Sequence, residues 1–247
     1  MSDRPTVATF RPDDDRTEEA VSLLRGLGAD PIADPMLAIE PTGSVPRTDA
    51  DYVVLTSKTG VELAADADWS PGETTVVAIG DRTARALREA GYEVDLLPEE
   101  YTSSGLVDLL SDRADGARIE IARSDHGSDV LLDGLEAAGA YVHETVLYRL
   151  TLPEEAGDAA ERAADGSLDA ALFTSSLTVD HFLTAADRRG VRSDALDGLD
   201  DAVVGAIGPP TKETARDAGV PVDVVPDTAD FEALARTVLD ELERRSP

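Results

Sequence analysis

The chain has 247 residues, of which 51 are Asp or Glu and 22 are Lys or Arg, giving a formal charge of −29. A field that negative repels nucleic-acid phosphates and anionic membrane surfaces, so neither is an expected partner. With 42% hydrophobic residues the composition is globular, and the length suits one large domain or two small ones. In chain order, a strand-like VATFRP (7–12) leads into the amphipathic TEEAVSLLRGLGA, which ends at Gly28, where a left-handed cap is expected. The extended stretch DPIADPMLAIEP (30–41) follows, then DYVVLTSKTGVELA (51–64), an apolar strand that runs through Thr-Ser into a helix. Next come VVAIGDRTARALREAGYEVDLLP (76–98) and a short amphipathic helix in TSSGLVDLL.

The pattern then repeats. IEIARS (119–124) leads into SDVLLDGLEAAGA, ending at Gly139, and then into the extended YVHETVLYRLTLP. DAALFTSSLTVDHF (169–182) matches the first Thr-Ser segment, VVGAIGPPTKETARDAGVPVDVVP (203–226) matches the segment after it, and TADFEALARTVL closes the copy. The offset between partners grows from 112 at Val7/Ile119 to 118 at Thr56/Thr174 and 128 at Gly80/Gly208, which places insertions in the loops. The chain is a duplicated α/β unit. Its strands are continuous apolar runs, as in parallel sheets covered on both faces and joined by right-handed crossovers. Ligands of such sheets bind beyond the carboxyl ends of the strands, and two facing units would form a cleft there. The stretches Met36 to Pro41 and Val146 to Thr151 fit either inner strands or crossing linkers that exchange the first strand and helix between units.

With no Cys, disulfides, thiolate nucleophiles, zinc ribbons and iron–sulfur clusters are excluded. With no Asn or Gln, ligand contacts fall to hydroxyls, carboxylates, His, Lys, Arg and backbone. No apolar run approaches the ~20 residues that span a bilayer, and MSDRPTVATF lacks a signal-peptide core, so a cytoplasmic protein is expected. Lysine occurs only at Lys58 and Lys212. A lysine-poor, aspartate-rich surface is that of proteins from extreme halophiles, so the acidity reports habitat rather than partner.

The turns Gly80-Asp81-Arg82-Thr83 and Gly208-Pro209-Pro210-Thr211 each join a strand to a helix, where N–H donors and a hydroxyl can face an anion. An ordinary helix cap explains either turn equally well. Neither G-x-x-x-x-G-K-[ST] nor G-x-G-x-x-G occurs, so nucleotide chemistry is unsupported. Thr56-Ser57-Lys58 and Thr174-Ser175-Ser176 put hydroxyls at strand ends, again as site or as cap, and no G-x-S-x-G elbow makes either serine a hydrolase nucleophile. His126, His143 and His181 lack the i, i+4 spacing of a zinc helix, and Asp13, Asp14 and Asp15 read as a solvated turn, so no metal is expected.

In their order, Arg11-Pro12, TSKTGV, VVAIGDRTARAL, LLPEEYTSSGLVDLL, IEIARS, VLYRLTLP, FTSSLTV, GAIGPPTKETARDAGV and PDTADFEALARTVL resemble the uroporphyrinogen-III synthase family over nearly the whole chain. Departures are Lys212, where the family often has alanine, and Leu177, where a small or polar residue is commoner. The resemblance implies two flavodoxin-like parallel-sheet α/β domains, 1–36 with 153–247 and 37–152, joined by a two-stranded linker. The N-terminal strand and helix would pack with the C-terminal half. It implies no cofactor and a lyase that closes hydroxymethylbilane with inversion of ring D and loss of water, in the biosynthesis of haem, sirohaem and cobalamin. The deaminase that makes the bilane is an optional partner, and nothing argues for more than a monomer.

On this resemblance Tyr148 matches the tyrosine at the cleft and is expected to donate a proton to the departing hydroxyl, the alternative being a linker tyrosine that packs the two domains together. The substrate carries eight carboxylates, so the chain must reverse its sign locally. Arg11, Lys58, Arg82, Arg123, Arg149 and Lys212 lie at strand ends suited to this, with Thr56, Ser57, Thr83, Ser103, Ser104, Thr174, Ser175, Ser176 and Thr211 as further binding groups. Two other readings are a non-catalytic two-domain binder of an anionic metabolite and a sugar-nucleotide transferase, although such transferases are usually longer.

Overall fold

A computed structural model describes residues 4–12 and 15–245. Asp13 and Asp14, and the side chain of Asp15, lie outside the described residues. In chain order the elements are β1 (Thr6–Thr9), α1 (Asp15–Gly26), β2 (Asp30–Ala33), β3 (Ala38–Pro41), β4 (Tyr52–Leu55), α2 (Lys58–Asp66), β5 (Thr75–Ala78), α3 (Asp81–Glu89) and α4 (Ser103–Ala114). They continue with β6 (Arg118–Ser124), α5 (Asp129–Ala137), β7 (Tyr141–Thr151), α6 (Asp158–Ala164), β8 (Ala170–Phe173), α7 (Ser176–Arg189), α8 (Arg192–Asp201), β9 (Val203–Ala206), α9 (Pro209–Asp217) and α10 (Phe231–Arg245). Among the described residues no helix is long and apolar enough to cross a membrane.

The chain divides into two compact units, 1–38 with 151–247, and 39–150. The first holds a sheet of order β2-β1-β8-β9, and the second one of order β3-β7-β6-β4-β5. Pairing is parallel along β2-β1-β8-β9 and along β7-β6-β4-β5. Each sheet is extended by a single bridge, Gly205 to Val224 in one and Val77 to Leu96 in the other. Numbered within its own copy, each unit has the order 2-1-3-4-5 of a doubly wound sheet. β1 lies beside β8, so the N-terminal strand belongs with the C-terminal half.

Short strands suffice because both sheet faces are covered, and β8 (AALF) and β9 (VVGA) are buried at every position. In the second unit Val53, Leu55, Val76, Ala78 and Ala122 pack with Val61, Ala64 and Leu87 on one face, while Val54, Val77, Ile119 and Ile121 meet Leu106, Leu110, Leu131 and Leu135 on the other. In the first unit, Phe10 just after β1 stacks on Phe173 at 4.7 Å and meets Phe182 edge-on at 5.4 Å. A buried phenylalanine of this kind is worth about 3–5 kcal/mol against alanine.

The insertions inferred from the growing offset are helices rather than loops. α6 has no counterpart in the other copy, and the second insertion is the 10-residue α8. Neither helix exposes a long apolar stripe to the sequence reader, because both meet through small residues: a Cβ on Gly198 of α8 would lie 1.8 Å from the Ala163 carbonyl oxygen of α6.

Candidate active site

Each unit gathers its polar turns at the carboxyl edge of its sheet. In the second unit β4 ends in Thr56 and Ser57, and Ser57 caps α2 by accepting the Gly60 N–H at 2.9 Å. Tyr148, on β7, stands opposite Ser124 at the end of β6 and is 7% exposed. Its hydroxyl reaches Ser57 Oγ at 3.0 Å. This contact joins residues 91 apart, and spacing along the chain carries no sign of it.

The other polar groups of this edge divide into exposed and enclosed. Lys58 is exposed and pairs with Glu62 at 2.9 Å, one turn along α2. Thr83 is 4% exposed at the third position of α3, while Arg82 beside it is exposed. Thr102 caps α4 by accepting the Gly105 N–H at 3.0 Å, which leaves Ser103 and Ser104 as its first helical residues with hydroxyls not needed for the cap. Tyr101, not anticipated from the sequence, is half exposed and packs on Gly80, where an added Cβ would come within 3.0 Å of its ring. A hydrogen bond to Asp81 pushes its phenol above the usual range. Beyond β6, burial would raise Asp125, yet hydrogen bonds from His126 and the Leu150 N–H hold it below the usual carboxylate range.

Arg123 departs from its expected place among the exposed basic groups. It is 5% exposed, its Nε donates to Glu144 at 2.5 Å, and its Nη1 donates to the Ser128 carbonyl at 2.6 Å. The β6–β7 register shifts between Arg123 and Ser124, and the turn after the strand folds over the guanidinium. Gly127 makes the fit possible, since a Cβ there would sit 2.4 Å from the arginine Cδ. Arg149 remains exposed.

In the first unit the corresponding edge carries Thr174, Ser175 and Ser176, all partly exposed. Ser175 and Thr178 form a reciprocal capping box at the start of α7. Ser176 Oγ accepts from Thr214 at 2.8 Å and so is tied to α9. Thr211 is 4% exposed, like Thr83, and Lys212 is partly exposed. The Arg11 guanidinium lies over the Phe231 ring at 4.7 Å. The residue in the position of Tyr148 is Leu37, bridged to Pro12 as Tyr148 is paired with Ser124. The two copies therefore share a serine cap on the helix after the central strand, and the phenol beside that serine is present in one copy only. Among the described residues no group of three or more His, Asp or Glu side chains is placed to hold a metal ion.

Comparison with known proteins bears on what this edge does. The family model described as uroporphyrinogen-III synthase HemD matches residues 18–236. A putative uroporphyrinogen-III synthase of Methanothermobacter thermautotrophicus is 34% identical over 230 residues, 87% of this chain and 90% of its own length. The uroporphyrinogen-III synthase of Synechococcus elongatus is 29% identical over 211 residues, 78% of this chain and 79% of its own. A mutant uroporphyrinogen III synthase from Thermus thermophilus superposes with a TM-score of 0.65 at 20% identity, covering 98% of this chain and 100% of that one. The Helicobacter pylori enzyme does so with 0.65 at 15% identity, covering 96% and 99%. The chain belongs to the uroporphyrinogen-III synthase family.

Proposed function

We propose that the carboxyl-edge residues of this chain bind hydroxymethylbilane and that the Tyr148–Ser57 pair supplies the proton with which its terminal hydroxyl leaves as water. The observation that carries the reading is the buried phenol held 3.0 Å from a helix-capping serine in one copy of a duplicated fold, where the other copy has leucine. Duplication copies scaffold and caps alike, so a polar group present once is explained by use rather than by inheritance.

The chemistry asks little of the protein. As the C–O bond breaks, its electron pair goes to oxygen, the oxygen takes a proton, and the pyrrole nitrogen stabilises the remaining carbon as an azafulvenium cation. The substituted carbon of ring D then attacks that carbon to give a spiro centre, and the bond from the same ring-D carbon to its old methylene bridge breaks to leave a second azafulvenium cation. The unsubstituted α-carbon of ring D captures that methylene and loses its proton, which closes the macrocycle with ring D inverted. Donation and positioning are the two services required, and neither calls for a cofactor. Arg11, Lys58, Arg82, Arg149 and Lys212 are the basic groups assigned to the substrate carboxylates, with Thr56, Ser103, Ser104, Thr174, Ser175 and Ser176 as hydroxyl donors. Thr83 and Thr211 act from the buried starts of their helices. Arg123 leaves this set because its fork is occupied by Glu144 and Ser128. In this reading the enzyme is a cytoplasmic monomer with a salt-adapted surface and takes its substrate from the preceding deaminase.

The test is incubation with bilane freshly made by that deaminase. A synthase gives the type III isomer, whereas a binder that only sequesters the bilane leaves the type I isomer of spontaneous closure.

A further inference from the structure

We infer that Ser57, rather than Tyr148, touches the departing hydroxyl and hands it a proton, while Tyr148 refills Ser57 from behind; this rests on the synthase reading above. A serine hydroxyl has two lone pairs and one proton. One lone pair of Ser57 accepts the Gly60 N–H at 2.9 Å, and the other faces the Tyr148 hydroxyl at 3.0 Å. The phenol donates in that pair, since a phenolic O–H is a better hydrogen-bond donor than an alkyl hydroxyl. Both acceptor positions of Ser57 are then filled, and its own proton finds no acceptor among the described residues. Tyr148, 7% exposed, has spent its proton on Ser57, while Ser57 is partly exposed at the strand end. The group with a proton to offer and a surface to offer it from is the serine.

The surroundings favour a transient negative charge on that oxygen. Ser57 sits at the N-terminus of α2, where the unpaired N–H groups give a positive potential, and Lys58 follows it directly. Ser175 caps α7 in the same position of the other unit, but Leu37 stands where a second hydroxyl would be, so no relay forms there.

The step balances. The C–O bond breaks with its pair on oxygen, the Ser57 proton completes water, and the Tyr148 proton passes to Ser57 in the same motion. The phenolate regains its proton from the one released when the macrocycle closes. Tyr148 is thus a positioning residue and a proton reserve, and Ser57 is the catalytic residue.

The experiment measures kcat, KM and isomer ratio with fresh bilane for the full-length parent, Ser57→Ala, Ser57→Asp, Ser57→Thr, Tyr148→Phe and the Ser57→Ala/Tyr148→Phe double variant, each checked for its melting temperature. Ser57→Asp keeps the cap and accepts from both neighbours but has no proton at neutral pH; Ser57→Thr keeps cap and proton. The expected result is a fall in kcat of roughly 10²-fold for Ala and Asp, recovery to within a few-fold for Thr, and a smaller kcat loss for Tyr148→Phe with KM held. In the double variant the phenylalanine adds nothing to the loss already made by alanine, which a purely structural tyrosine would not show. Parental kcat in Ser57→Ala beside a large loss in Tyr148→Phe would overturn the inference and make the phenol the direct donor. A parent that forms no type III isomer would instead remove the synthase reading itself.

Discussion

Asp34 accepts the backbone N–H of Ala159 at 2.8 Å, across 125 residues, and with the same carboxylate accepts the Gly157 N–H at 3.1 and 3.2 Å. It is 3% exposed and serves as the N-terminal cap of α6, whose own flanking residue, Gly157, has no side chain to offer. The segment after β2 is thereby fastened to an inserted helix of the other half of the chain. Removing the carboxylate leaves these donors without a partner, so Asp34→Ala should lower stability by about 0.5–2 kcal/mol in denaturant unfolding.

The same carboxylate gives a pH dependence with a definite sign. Burial raises its pKa above the ordinary 3.8, against the two backbone hydrogen bonds that pull it down. A group raised in the folded state contributes stability that is present below its unfolded pKa and lost as pH rises through the folded one. Asp34→Asn keeps an acceptor and carries no charge. Relative to the parent, the asparagine variant should therefore gain stability as pH climbs from 3.8 through the raised value; a difference independent of pH over that window would show that burial is not what shifts the group.

Gly198 and Gly26 separate helix propensity from packing. Alanine is intrinsically better than glycine in a helix by ~1 kcal/mol, which predicts a gain at either position. Around Gly26 there is open space, while at Gly198 the new methyl would meet the Ala163 carbonyl at 1.8 Å. Gly26→Ala should raise the melting temperature slightly, and Gly198→Ala should lower stability by roughly 1–3 kcal/mol as α6 and α8 are forced apart.

A pair of aspartates repeats with the fold. Asp169 Oδ2 accepts the Thr6 N–H at 2.6 Å and Asp51 Oδ2 accepts the Arg118 N–H at 2.8 Å, each latching the first residue of the strand next to its own. Asp169→Ala should speed amide hydrogen exchange along β1 and leave β6 protected, and Asp51→Ala should do the reverse. Loss of protection in both strands from either variant would mean that the units do not open separately.

The duplication, the strand–turn–helix alternation and the parallel sheets were legible because each rests on local pattern: apolar runs, Thr-Ser caps, glycines such as Gly28 and Gly139 with φ of 92° and 93°. The exchange of β1 was not legible from pattern, since Val7, Ala8 and Phe10 would fill either sheet, and only the family resemblance pointed to it. α6 and α8 were missed because they meet through Ala163 and Gly198, and small residues leave no hydrophobic signature. The Tyr148–Ser57 contact depends on the register of β7 against β6, which no single segment encodes.

Arg123 is where reading by analogy and reading by geometry disagree, and a variant distinguishes them. An arginine at a strand end, in a chain that must bind eight carboxylates, invites assignment to the substrate. Its side chain is instead 6% exposed, bound to Glu144 and Ser128, with Asp129 at 3.8 Å. Glu144 is 31% exposed, so water can take over part of the arginine's role, and the cost of Arg123→Ala falls below the ~3–5 kcal/mol of a wholly buried pair, to roughly 2–3. Lysine keeps the charge but not the planar fork, so Arg123→Lys should recover only part of that loss. Both variants, assayed well below their melting temperatures, should retain the parental KM. A variant that unfolds at the parental denaturant midpoint yet raises KM several-fold would return Arg123 to the substrate and make its ion pair with Glu144 a resting state that the bilane displaces.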